Sequence, residues 1–148
     1  MSFENKTSTD KVRGKNWVAT ILVVFALGII GYWISFFSSG EVHASEDACY
    51  LVFQRNFPAP DGATALFGVI SAIGLVRNRE WAVLWGLVAA GGILFLGLID
   101  ISYNVWNGMY RSFSLAMIAE NMINVVCMVL GPFLIHFIWK NRRKLGAA

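Results

Sequence analysis

The chain has 148 residues, enough for one domain, and 57% of them are hydrophobic, which exceeds the apolar share of an ordinary water-soluble domain. A formal net charge of +3 is also found in nucleic-acid-binding proteins, but here the basic residues flank apolar stretches, as in a membrane protein with basic cytoplasmic ends. Composition and charge therefore exclude a nucleic-acid partner and predict a single domain, residues 1–148, that lies in a lipid bilayer.

Four apolar stretches are long enough to cross the bilayer as helices, for which about 17–25 residues are needed. They lie at residues 17–37, 60–76, 81–103 and 113–139. Residues 1–10 are polar and lack apolar periodicity, which predicts a flexible N-terminal tail. The fold predicted is an all-α membrane protein, an antiparallel four-helix transmembrane bundle.

The outer segment, residues 38–59, is the longest connection between the predicted spans. Tyr50, Phe53 and Phe57 recur in it at helical spacing. This pattern predicts a short interfacial helix, capped by Ser45, that places the three rings in the headgroup region. Asp61 follows Pro60 at the start of the second span, where a helix-capping role is expected.

The basic residues predict the orientation of the bundle, because Lys and Arg beside membrane spans are retained in the cytoplasm. Only Arg55 and Arg111 flank the spans on the opposite side. The other ten of the 12 basic residues are Lys6, Lys11, Arg13, Lys15, Arg77, Arg79, Lys140, Arg142, Arg143 and Lys144. Both termini are therefore predicted to be cytoplasmic. Short spans with this charge bias are typical of a bacterial inner membrane protein.

Two polar stripes occur in the outer halves of the third and fourth spans. Asp100 and Asn104 follow a stripe of small residues (Gly86, Ala90 and Gly97) that indicates the buried face of the third span. Glu120 and Asn124 share a face of the fourth span, with Asn121 beside them. We expect the two stripes to contact each other across the helix interface.

An ionised carboxylate is costly in hydrocarbon, and no predicted span contains a Lys or Arg to pair with Glu120. We therefore expect Glu120 to hydrogen-bond as a neutral acid to Asn104 or Asn124, and Arg111 to serve Asp100. Such residues also tie helices together, at about 0.6 kcal/mol per contact. Five of them in one half of the bilayer favour a ligand-binding site. Its predicted members are Asp100, Asn104, Glu120, Asn121 and Asn124.

Other kinds of site have weaker support. The outer loop contains one histidine, His43, among acidic residues without close ligand spacing, so a solvated loop is favoured and no metal site is predicted. Cys49 and Cys127 form no CxxC and belong to different depths of the predicted topology, which excludes a disulfide framework. No motif identifies a cofactor.

Three functions are compatible with the predicted site. The leading one is a non-enzymatic membrane protein whose outer-half pocket binds a small ligand, a lipid or a partner membrane helix. The second is a small proton- or cation-coupled transporter, compatible with a homo-oligomer, in which Glu120 and Asp100 titrate. The third is an intramembrane enzyme with Glu120 as general acid and Asp100 as its electrostatic partner.

Overall fold

The structure is a computed structural model that describes residues 12–111 and 114–145. Within these ranges the chain is helical and has no strand. Its elements are α1 (Lys15–Ser38), α2 (Ala48–Gln54), α3 (Pro58–Val76), α4 (Trp81–Trp106), a 3₁₀ turn (Met109–Arg111) and α5 (Leu115–Leu145). The helices α1, α3, α4 and α5 are long and apolar enough to cross a membrane. The tail predicted at residues 1–10 lies outside the described residues.

All four long helices extend beyond a predicted end, and at the C-terminal end the extension is longest in α4 and α5. Helix α4 continues past residue 103 to Trp106, and α5 continues past residue 139 to Leu145. Hydropathy marks where apolar residues stop, whereas a helix continues while its residues accept helical backbone; in α5 the added residues include Lys and Arg, which favour it. Asn104 is consequently inside α4, at a defined position on its buried face.

The short helix α2 is capped by a different residue from the one predicted. Asp47 is its N-cap, and the Oδ1 atom accepts from the backbone N–H groups of Cys49 at 2.8 Å and Tyr50 at 3.4 Å. Ser45 was therefore the wrong residue. Its hydroxyl accepts from Asp47 N at 3.1 Å and so supports the residue that caps the helix.

The long helices pack in a series, α1 on α3, α3 on α4 and α4 on α5. Glycines permit the close approaches: a Cβ at Gly86 would lie 2.6 Å from Ser71 Oγ, and one at Gly92 would lie 2.6 Å from Thr64 Oγ1. The packing role predicted for the small residues of α4 is confirmed, because Gly86, Ala90 and Gly97 are all buried.

The ends of the bundle differ in their connections. At the end that carries the α3–α4 turn, residues 77–80, the Lys15 ammonium donates to Leu75 O at 3.0 Å, Val76 O at 3.3 Å and Asn78 Oδ1. These contacts satisfy carbonyl groups at the C-terminus of α3, which its own helix leaves without partners. We call this the turn end, and the opposite end, where α2 lies, the α2 end.

The helices α1 and α5 are the first and last of the packing series. At the turn end they approach each other, since a Cβ at Gly14 would lie 3.6 Å from the Phe137 ring. Towards the α2 end a cavity lies between them, lined by α1 from Phe25 to Trp33 and by α5 from Glu120 to Cys127. The first and last helices of the series thus approach each other at the turn end and are separated by a cavity near the α2 end.

Candidate ligand-binding cavity

Glu120 connects three elements of the chain at the α2 end. Its Oε1 atom accepts from Asn104 Nδ2 of α4 at 2.6 Å, and its Oε2 atom accepts from the Tyr50 hydroxyl of α2 at 2.6 Å. The Glu120 side chain is 4% exposed. The contact predicted between the polar stripes of α4 and α5 is confirmed by the bond from Asn104 to Glu120.

Asp100 is held by the same short helix. Its Oδ1 atom accepts from Gln54 Nε2 at 3.1 Å, and both residues are buried. Tyr50 and Gln54 lie four residues apart, so they share one face of α2 and each reaches one carboxyl group. The ring of Phe53 stacks on Tyr103 of α4, with centroids 3.9 Å apart, and so fixes α2 against the bundle.

This placement of α2 differs from the predicted interfacial helix with three rings in the headgroups. Tyr50 is only 1% exposed, and its hydroxyl also accepts from Ala44 N at 3.3 Å. The physical reason is that a buried carboxyl group needs donors, and a tyrosine supplies one while its ring fills apolar space. The aromatic face of α2 therefore packs against the bundle.

A third carboxyl group, that of Asp61, also faces the cavity. Its Oδ2 atom accepts from Trp33 Nε1 of α1 at 2.8 Å, and the expected capping role is wrong. Helix α3 begins with Pro58, and no side chain caps its N-terminus. Proline has no N–H group and occupies this position without a cap, which leaves Asp61, in the first turn, free to bond across to α1.

The cavity has a volume of about 310 Å³, at the lower end of the range for small-molecule sites. Its walls are apolar, and polar side chains gather at one part of the lining. Those of α1 are Tyr32 and Trp33, and those of the other elements are Gln54, Asp61, Asp100, Glu120 and Asn124. An apolar enclosure with a few polar groups is the usual form of a ligand site.

One polar group of the lining lacks a hydrogen-bond partner. Asn124 is 4% exposed, and its Nδ2 atom makes no hydrogen bond with the described residues. The amide is close enough to Asp100 to act on that carboxyl group, but not in hydrogen-bonding geometry. The Oδ1 atom of Asn104 is likewise unpartnered. A buried donor without an acceptor costs about 1–3 kcal/mol, so Asn124 is suited to a ligand that supplies an acceptor.

The charges around the cavity are one-sided. No Lys, Arg or His lines it, whereas Asp61, Asp100 and Glu120 do. The expected pairing of Arg111 with Asp100 is wrong, since in the described part of the chain Arg111 does not lie within salt-bridge distance of a carboxyl group, and the contact at that distance is between His43 and Glu46, at 3.2 Å. Arg111 is exposed at the end of the 3₁₀ turn. Water solvates its charge there, whereas burial beside Asp100 would carry a desolvation penalty.

Four of the five predicted site residues come together. Three of them, Asp100, Glu120 and Asn124, line the cavity. Asn104 does not line it but donates a hydrogen bond to Glu120. Asn121 is half-buried and does not line the cavity. Tyr50, Gln54 and Asp61 were not predicted as members of this group. The spacing of Tyr50 and Gln54 puts them on one face of a short helix, but it does not indicate which surface that face meets.

Neither metal binding nor a disulfide is supported by the described geometry. Over residues 12–111 and 114–145, no group of three or more His, Cys, Asp and Glu side chains could hold a metal ion. His43 bonds instead to Glu46 and, through Nε2, to Phe36 O at 3.1 Å. Cys49 is exposed and Cys127 is buried, and both are free thiols.

Comparison with known proteins gives a family. Residues 12–148 match the family described as "Domain of unknown function (DUF8058)". The chain belongs to this family. The match covers every helix of the bundle, so the cavity is built entirely from the family's domain. No curated protein and no solved structure matches the chain.

Proposed function

We propose that the chain is an integral membrane protein whose cavity binds a small amphipathic molecule, such as a lipid, that enters from the bilayer between α1 and α5. The observation that carries this proposal is an apolar cavity with a polar lining, part of which is exposed on the outside of the bundle, at Gly28 of α1 and at Met122 and Val126 of α5. A molecule dissolved in the membrane can reach these exposed residues with its apolar part still in hydrocarbon. The polar lining then selects among head groups.

The outer surfaces of the long helices support a lipid environment. Large apolar side chains are exposed along their length, including Leu27 at 62%, Phe95 at 61% and Val129 at 66%. Apolar surface of this extent on a water-soluble monomer would be an aggregation liability, but it matches the solvent inside a bilayer. We therefore place α1, α3, α4 and α5 as the membrane spans and α2 on the outer side.

The basic residues support an orientation with both termini in the cytoplasm of a bacterial inner membrane. Arg13, Lys15, Arg77 and Arg79 are at the turn end, together with the basic C-terminal turn of α5. Exposed tryptophans occur at both ends, Trp17 at the turn end and Trp106 at the α2 end, as expected for residues that prefer the membrane interface.

Cys49 provides a direct test of this orientation. It is exposed on α2, whereas Cys127 is buried inside the bundle. A membrane-impermeant maleimide added to intact spheroplasts is expected to label the wild-type protein at Cys49 and to leave Cys49→Ser unlabelled. Mass spectrometry of the purified protein measures the modification. Labelling of Cys49 only after permeabilisation would place α2 in the cytoplasm and reverse the topology.

Gly28 allows the cavity to be filled without disturbing the helix packing. It lines the cavity, and a Cβ at this position would meet no atom within 4 Å. We expect Gly28→Leu to place its side chain in the cavity and to lower the amount of co-purifying small molecule at least tenfold. Native mass spectrometry of protein released from lipid nanodiscs measures the bound species.

Gly31→Leu is the matched control for this experiment. Gly31 is exposed on the same helix, has the same open surroundings and does not line the cavity. The control is expected to keep the bound species at the wild-type level. Retention of the same species in Gly28→Leu, or its equal loss in both variants, would contradict binding in this cavity.

A further inference from the structure

We propose that the preferred ligand is an amphipathic amino alcohol, a molecule whose apolar chain ends in a protonated amine with a neighbouring oxygen. This inference rests on the proposed binding function and names the chemical class that the cavity takes. Three separate features carry it: the excess of carboxyl groups, the unused oxygen atoms of two of them, and the unpartnered amide of Asn124.

The carboxyl groups favour a cation. Asp61, Asp100 and Glu120 all line the cavity, and no basic side chain does. Each accepts a hydrogen bond from a neutral donor, respectively Trp33, Gln54 and Asn104, so the described chain supplies no countercharge. Acidic groups in an apolar enclosure are stabilised by a bound cation, which compensates their charge without water.

Two of the carboxyl groups have an oxygen left for the ligand. The described hydrogen bonds reach Oδ1 of Asp100 and Oδ2 of Asp61, so Oδ2 of Asp100 and Oδ1 of Asp61 are not used by them. Glu120 differs, because both of its oxygens accept, from Tyr50 and Asn104. A primary ammonium group has three donors and can bridge two such oxygens. Asp61 and Asp100 are thus assigned as the amine-binding pair.

Asn124 supplies the second requirement, an acceptor next to the amine. It is buried, lines the cavity and has an Nδ2 donor without a partner. An ammonium group cannot accept a hydrogen bond, whereas a hydroxyl oxygen can. A hydroxyl group next to the amine would satisfy Asn124 while the amine engages the carboxylates. This donor is the reason for assigning an amino alcohol instead of a simple amine.

The remaining lining suits the rest of such a molecule. Aromatic rings of Tyr32 and Trp33 border the polar part, and rings of this kind attract cations. Phe25, Ile29 and Ile123 line the apolar part of the cavity between α1 and α5. With about 310 Å³ available, the head group and the first part of a chain fit inside, and a longer chain extends into the bilayer.

The test compares two probes that differ in one group, 2-aminododecan-1-ol and 1,2-dodecanediol. Saturable binding of each radiolabelled probe is measured on the full-length protein in nanodiscs of neutral lipid, with Gly28→Leu nanodiscs as the correction for partition into lipid. We expect the amino alcohol to bind at least tenfold more tightly than the diol. Tenfold corresponds to about 1.4 kcal/mol, less than a charge-assisted hydrogen bond contributes.

Two isosteric variants identify the groups that make this difference. Asp100→Asn and Asp61→Asn each keep an oxygen that can accept from Gln54 or Trp33, so the fold is expected to survive. Each should weaken binding of the amino alcohol at least tenfold more than it weakens binding of the diol. A purely structural role would weaken both probes together.

The outcomes separate the ligand class from the binding function. Equal binding of both probes, blocked by Gly28→Leu, would overturn the amine assignment and leave the cavity as a binding site. Unchanged amino alcohol binding in both Asp variants would also overturn it. Absence of saturable binding by either probe would also overturn the amine assignment. The binding function would then be decided by the comparison of co-purified species between Gly28→Leu and Gly31→Leu.

Discussion

Gly131→Ala is expected to lower the free energy of unfolding by about 1–3 kcal/mol, the usual cost of overpacking a close interface. A Cβ at Gly131 would lie 2.9 Å from Leu94 Cβ, 3.2 Å from Ala90 O and 3.2 Å from Leu94 N. Two of these atoms belong to the backbone of α4, so the clash is relieved only if α4 and α5 move apart. Unfolding of the purified protein in mixed detergent micelles, followed by circular dichroism, measures the change.

The control for this prediction is Gly91→Ala. A Cβ at Gly91 would meet no atom within 4 Å, although the residue lies on the same helix as the atoms that confine Gly131. Alanine favours a helix over glycine by up to about 1 kcal/mol, so this variant is expected to be neutral or slightly more stable. Similar stability changes in the two variants would show that the α4–α5 contact does not depend on Gly131.

Small residues such as these glycines are one reason why the helical architecture could be predicted from the sequence. Bilayer thickness sets the length of each span, and a stripe of small residues indicates where two helices meet. Asp100 and Glu120 follow the same logic, because a carboxyl group inside an apolar helix has few stable environments. Asn104 was therefore one of the two partners expected for Glu120 from helical spacing and depth, the other being Asn124.

Long-range contacts made by α2 were not predictable in this way. Tyr50 bonds to a residue 70 positions away, and Gln54 to one 46 positions away. An aromatic face on a short helix can lie in the membrane interface or pack on the bundle. The sequence contains no local signal that distinguishes these two placements. Asp61 illustrates the same limit, because a capping role depends on neighbours in sequence, whereas its partner Trp33 is on another helix.

The cavity was unpredictable for a different reason. Its existence depends on the order in which the helices pack, since α1 and α5 end the series and separate towards the α2 end. Hydropathy and charge determine how many helices cross and in which direction, but not which pairs are neighbours. Of the residues that line the cavity, only Asp100, Glu120 and Asn124 were predicted from the sequence.

Glu120→Ala is expected to destabilise the fold by about 2–6 kcal/mol, because it strands two donors and each buried donor without an acceptor costs about 1–3 kcal/mol. The donors are the Tyr50 hydroxyl and Asn104 Nδ2, which in the wild type each lie 2.6 Å from a Glu120 carboxyl oxygen. Both side chains are almost completely buried, so water does not replace the lost acceptor. The loss should therefore exceed the average of about 0.6 kcal/mol for polar contacts in membrane proteins.

Glu120→Gln is the matched variant, and it is expected to cost about 1–3 kcal/mol, because it strands one donor where Glu120→Ala strands two. Its amide oxygen can accept from Tyr50, and its amide nitrogen can donate to Oδ1 of Asn104 once that amide turns over, which moves Asn104 Nδ2 to the position without a partner. Tyr50→Phe then completes a double-mutant cycle, since it should cost more stability in the wild type than in Glu120→Ala, where only the bond from Ala44 N remains to be lost. An equal cost of Tyr50→Phe in both backgrounds would show that the bond between Tyr50 and Glu120 does not hold α2 on the bundle.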